Sequence, residues 1–131
     1  PARSGEHTMA KLIPGPLTPA QVAGLFLEAF AANDVTRYEA LLSEDAHLRV
    51  SRLDGHEAHH SRRRVIRRLR EEWSAWPDPA LEIYRCLADE TRALIEFRIR
   101  TTKNGQPVRQ NWCAILTTKG GRAQAIDLYC L

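Results

Sequence analysis

Apolar residues recur at helical spacing in three stretches of this chain and alternate with polar residues in five others. In LTPAQVAGLFLEAFAAND, residues Val22, Leu25, Phe26, Ala29 and Phe30 share one helical face. Thr18 supplies an N-cap and Pro19 a preorganised first turn, while Asn33-Asp34 ends the helix. A shorter helix is predicted over TRYEALLSEDA, with Tyr38, Leu41 and Leu42 inward. A third runs from Arg62 to Trp76, its buried stripe formed by Val65, Ile66, Leu69, Trp73 and Trp76, and Pro77-Asp78-Pro79 stops it.

The alternating segments are HLRVSRL, ALEIYRCLA, RALIEFRIRTT, RQNWCAILTT and AQAIDLYCL, separated by turn sequences such as Asp54-Gly55, Asn104-Gly105 and Gly120-Gly121. The order helix, helix, strand, helix and four strands predicts an α+β fold with helices covering one face of a curved, mainly antiparallel sheet.

Composition narrows the class. The 131 residues are 44% hydrophobic and 27% charged, with a net charge of +3, as expected of one globular domain. Residues 18–131 read as that domain, and residues 1–17 as a flexible tail. Met9 is the only methionine, so residues 1–8 read as an added expression leader. No apolar run reaches the roughly 20 residues of a membrane span. Cys86, Cys113 and Cys130 are widely spaced and odd in number, which points to reduced, buried thiols in a cytoplasmic protein rather than a disulfide frame.

His56, Glu57 and His60 spell His-Glu-x-x-His, a zinc-protease signature when it lies on a helix. Here it follows the Asp54-Gly55 turn, its only apolar residue is Ala58, and no histidine follows His60. The stretch is expected to be a solvated rim loop, and neither a metal nor a cofactor is expected.

FLEAFAANDVTRYEALLSEDAHLRV, SRRRVIRRLREEWSAWPD and NWCAILTTKGGRAQAIDLY together resemble the opening, third helix and last hairpin of the nuclear transport factor 2 superfamily, in particular its SnoaL-like branch. The resemblance covers roughly residues 18 to 131. It implies a cone-shaped barrel: three N-terminal helices on a strongly curved mixed, mainly antiparallel sheet.

Fold alone does not choose a chemistry. The resemblance places the isomerase tyrosine position on Phe26, its base on Val50 or Ser51, and its oxyanion aspartate on Cys113. The epoxide-hydrolase positions fall on Ile95, Phe97 and Leu128. Neither set has its functional groups. The expected cone lining is Phe26, Phe30, Val50, Trp73, Phe97, Asn111, Cys113, Ile115 and Leu128, suited to a small hydrophobic ligand with Asn111 as the polar contact. A non-catalytic binding or dimerisation module follows, a homodimer through the outer sheet face, with Trp112, Ala114 and Leu116 at the interface. The alternative is a polyketide cyclase or isomerase with Asp127 as general acid/base, which requires a one-residue bulge near Gly120-Gly121.

Arg62, Arg63, Arg64, Arg67, Arg68 and Arg70 crowd the third helix. Interleaved aromatics on the exposed face are missing, and Arg67–Glu71 and Arg68–Glu72 fall at i,i+4, so the pattern reads as a solvated face and argues against nucleic acid.

Overall fold

The computed structural model describes residues 16–131. The expected leader over 1–8, and the expected tail up to residue 15, therefore lie outside the described residues. Leu17, assigned to that tail, instead packs against the core. It does so because the chain crosses the last hairpin turn: a Cβ on Gly121 would meet the Leu17 backbone nitrogen at 2.7 Å, and Gly121 has φ +79°. Only glycine meets both demands.

Helix α1 (Pro19–Ala32) begins with the expected Thr18 cap, completed by Gln21 into a reciprocal capping box, and ends with Asn33 in the left-handed region. Asp34 caps α2 (Val35–Leu41), where it accepts from Thr36 N and Arg37 N. The helix expected to continue to Ala46 stops five residues earlier, and β1 (Leu42–Arg52) takes over. Pairing across the sheet prevails over local helix preference, since Leu42 lies beside Ala123 and both are buried.

Strand β2 (Gly55–His60) corrects the rim-loop expectation. It pairs antiparallel with β1 from Arg52↔Gly55 to His47↔His60. Helix α3 (Arg62–Ser74) follows, then β3 (Ala80–Ala88), β4 (Arg92–Lys103), β5 (Gln106–Lys119) and β6 (Arg122–Cys130). The six strands are ordered β2-β1-β6-β5-β4-β3, with β1–β6 parallel and the other pairs antiparallel. The α+β cone expected from the sequence is the fold, with one strand more than the alternation revealed.

The core lies between the helices and the inner face of this sheet. Phe30 sits at its centre, 5.0 Å from Trp73 and 6.2 Å from Phe97 between ring centroids, both edge-on, and 6.3 Å from stacked Phe26. Ile95, Ile99, Trp112, Ala114, Leu116, Ile126 and Leu128 complete the sheet side.

One irregularity decides which residues face inward. A regular hairpin turning at Gly120-Gly121 pairs Cys113 with Leu128. The observed pairs are Cys113↔Tyr129, Ala114↔Leu128 and Leu116↔Ile126, because the register shifts by one between Thr117↔Ala125 and Thr118↔Ala123. That extra residue in β6 changes which β5 side chains share a face with Leu128.

Candidate mouth of the cone

Five of the expected lining residues, Phe26, Phe30, Val50, Phe97 and Leu128, are buried in the core, and Trp73 packs against them. They fill the space against one another. The clefts of about 340 to about 490 Å³ described on the surface are lined by none of these six. Asn111, Cys113 and Ile115 lie on the outer face, contrary to expectation, and Trp112, Ala114 and Leu116 are the buried set. The β6 bulge is the reason. Asn111 Oδ1 accepts from Arg98 Nε at 2.9 Å, and Cys113 neighbours Glu96. Burial, reinforced by Glu96, pushes the Cys113 thiol up, away from the nucleophilic thiolate.

Asp127 is also outward. Arg49, its neighbour on the parallel strand β1, donates from Nε to Asp127 Oδ1 at 2.6 Å. A bulge near the double glycine is present, yet it leaves Ile126 and Leu128 inward and Asp127 on the opposite face. The cyclase arrangement, with Asp127 inside the cone, is overturned.

The polar chemistry on the helix side of the sheet centres on a group the sequence reading placed in solvent. Glu72, on the last turn of α3, is only 8% exposed. Arg52 Nη2 donates to its Oε1 at 2.6 Å, Arg68 Nη2 to the same oxygen at 3.1 Å, and Trp76 Nε1 to Oε2 at 3.0 Å. Arg68 continues the chain, with its Nε donating to Glu57 Oε1 at 2.6 Å, and His59 Nε2 lies 2.6 Å from that same oxygen. The Arg68 hydrogen bond, more than His59, holds the Glu57 carboxyl below its ordinary range, with burial opposing. The helical i,i+4 pair Arg68–Glu72 was legible, but its burial was not: β2 and the end of β1 cover it.

Arg52 joins this network to the sheet. Its guanidinium lies 5.0 Å above the Trp112 ring, on β5. Beside Trp112, Cys130 accepts from Gln110 Nε2 at 2.7 Å, and burial pushes its thiol up against the opposing charge of Arg52. The indole Nε1 of Trp112 is buried with no hydrogen-bond partner among the described residues. Such an orphan donor costs free energy that a ligand acceptor would recover.

Glu57 and Glu72 are the two carboxylates of this network. Each carboxylate is engaged by at least one guanidinium, so neither is a free base. Among the described residues, groups of three or more His, Cys, Asp or Glu that could hold a metal ion are missing. The Tyr38 hydroxyl is a second buried group without a partner among the described residues, but its ring packs from α2 against Phe26 of α1, 6.3 Å between centroids. Burial raises the phenol well above its ordinary value, opposed by Arg70.

Residues 23–126 match the SnoaL-like domain family. No curated protein matches the chain. Among solved structures, an NTF2-like protein of unknown function from Mesorhizobium loti superposes with a TM-score of 0.73 at 14% identity, covering 86% of this chain and 90% of that one. An LEH-like epoxide hydrolase of M. tuberculosis gives 0.68 at 20%, covering 88% and 81%. A protein described as a SnoaL-like polyketide cyclase from Jannaschia gives 0.69 at 10%, covering 90% of both chains. At these identities the likeness is one of fold.

Proposed function

Because the chain belongs to the family of SnoaL-like domains, we propose that it is a non-catalytic binding module for a small hydrophobic molecule carrying an oxygen acceptor. The ligand sits at the mouth of the cone against Trp76, Trp112 and Arg52, rather than deep among the aromatics. The observation that carries this reading is the buried, unpartnered Trp112 Nε1 beneath the Arg52 guanidinium. An apolar body would rest on the half-buried Trp76, and a carbonyl or carboxylate would reach the orphan donor of Trp112, itself only 2% exposed, by displacing the Arg52 guanidinium that covers it. The absence of a free carboxylate at Glu57 and Glu72 favours binding over turnover.

Tryptophan fluorescence and thermal shift with a panel of hydrophobic ketones and carboxylic acids test the reading. A binder should quench emission and raise Tm, and Trp112→Phe should weaken it by about tenfold through loss of one hydrogen bond. Binding unchanged in Trp112→Phe, or turnover of a bound compound, would overturn the proposal.

The module also pairs through the outer sheet face, where Leu87 is 57% exposed and a cleft of about 390 Å³ is lined by Leu87, Leu94 and Ile115. This interface is the reverse of the one expected around Trp112. Sedimentation should give a dimer that Leu94→Glu dissociates. A wild-type monomer removes this part of the reading. The three free cysteines suit the cytoplasm, although Cys86 is exposed rather than buried. None of the described helices is long and apolar enough to cross a membrane.

A further inference from the structure

The geometry points to a second binding site, for a divalent transition-metal ion, on the outer face of the β1–β2 hairpin, held by His47 and His60. The motif that draws attention in sequence is His56-Glu57-x-x-His60, yet the strand separates those residues. Opposite pairing and side-chain alternation put Glu57 and His59 toward the helices and His56, Ala58 and His60 on the other face. His60 then stands directly opposite His47, which the sequence motif does not contain.

The ring centroids of His47 and His60 are 6.0 Å apart, with planes inclined by 37°. An ion bonded at about 2 Å to one nitrogen of each imidazole holds the centroids roughly 5–6 Å apart, so a small rotation about the side-chain bonds suffices. Neither ring has a hydrogen-bond or ion-pair partner among the described residues, whereas His59 is engaged by Glu57. His60 is exposed and His47 half-buried, so solvent can complete the coordination sphere. On the β6 side His47 neighbours Ala125, whose small side chain leaves room. The nearest strand cation on that face, Arg49, is neutralised by Asp127.

Two imidazoles without thiolates or a carboxylate cage select ions of the imidazole-preferring class, Ni²⁺, Cu²⁺ and Zn²⁺, over Mg²⁺ and Ca²⁺. The site lies at the open end of the hairpin, away from its Leu53-Asp54 turn. An ion there would clamp the two strands that carry Arg52 and Glu57 to the mouth.

Calorimetric titration of the full chain with Ni²⁺ alone tests the proposal, since Ni²⁺ is not reduced by the free thiols. One 1:1 binding event is expected in the wild type, lost in both His47→Ala and His60→Ala and retained in His56→Ala. Mg²⁺ should give no event. Circular dichroism confirms that each variant is folded, and His47→Gln, His60→Gln or His56→Gln replaces the alanine variant at the same position that is not. Binding that survives in both single variants, or that disappears equally in His56→Ala, overturns the site. Because the mouth does not contribute a ligand, Trp112→Phe should leave Ni²⁺ binding unchanged, so this site and the small-molecule site fail or stand separately.

Discussion

Along β5, Trp112, Ala114 and Leu116 are buried in the core, while Asn111, Cys113 and Ile115, each one residue away, lie on the outer surface. The two faces share a backbone, a register and the same hydrogen-bonded neighbours. What separates them is what they touch: Phe97 and the helices inside, and Arg98, Glu96 and Tyr129 outside. The inner face therefore contributes through burial and close packing, whereas the outer face carries partly exposed ion pairs such as Arg49–Asp127 and Arg85–Glu96, which contribute little. Substitutions one position apart should differ several-fold in effect.

The largest expected contrast is between Trp112→Ala and Cys113→Ala. The first removes a fully buried indole together with the surface on which Arg52 rests, and should cost about 3–5 kcal/mol. The second trims a half-buried thiol on the outer face, and should cost below about 1 kcal/mol. Urea denaturation of both variants measures the difference. Equal losses would mean that β5 is threaded one residue away from the observed register.

That register marks the limit of what the sequence made legible. Helix α1 was readable because Thr18, Pro19 and the Val22–Phe30 stripe are local signals, each within a turn of the next. Phe97 and Leu128, which the family resemblance put on the inner face, are buried there. Cys113 and Ile115 are not, because their facing relative to Leu128 depends on a bulge, and an extra residue in β6 has no local signature in AQAIDLY. Strand β2 was missed for a related reason. GHEAHH has too few apolar residues to show a period of two, since at this sheet edge even its inner face is polar, occupied by Glu57 and His59. Glu72 looked solvated because a helical pattern reports which residues neighbour one another along α3, and not which strand lies over them.

The Arg52–Arg68–Glu72 network sharpens the comparison, for there the inner side of the sheet is polar. Glu72→Gln keeps the shape but removes the charge that Arg52 and Arg68 share. Leaving two largely covered guanidiniums short of a partner should cost about 2–4 kcal/mol, since Arg52 keeps some solvent contact. Glu71→Gln, one residue earlier and exposed, should stay within about 0.5 kcal/mol. Thermal unfolding of the two variants side by side checks this, and similar Tm values would show that the network is solvated after all.

Acid should dissolve part of the same network. The Glu57 carboxyl is held below its ordinary value in the folded state by Arg68. Its contribution is therefore complete above the unfolded value of about 4.3, and is lost as pH falls through the lower folded value. With the side chain partly exposed, solvent screening keeps this near about 0.5 kcal/mol. The measurement is the gap in urea midpoint between wild type and Glu57→Gln at pH 7 and again near pH 3. The gap should close at the lower pH, and a constant gap would mean that the pairing with Arg68 does not carry it.

The smallest effect belongs to the residue that the cyclase alternative made central. Asp127, its side chain 14% exposed, meets Arg49 at 2.6 Å, but the Arg49 side chain is 62% exposed, so water competes for the charge of the pair. Exposed pairs of this kind contribute between about 0 and 1 kcal/mol, and Asp127→Asn should fall in that range. Added salt should shrink the difference further, because the interaction is screened from the solvent side. Neither small-molecule binding nor tryptophan emission should change, since the carboxylate and the Trp112 indole lie on opposite faces of the sheet. An Asp127→Asn variant that keeps its stability but loses ligand binding would place this carboxylate inside the cone, and would overturn the assignment of the two faces from which the other expectations follow.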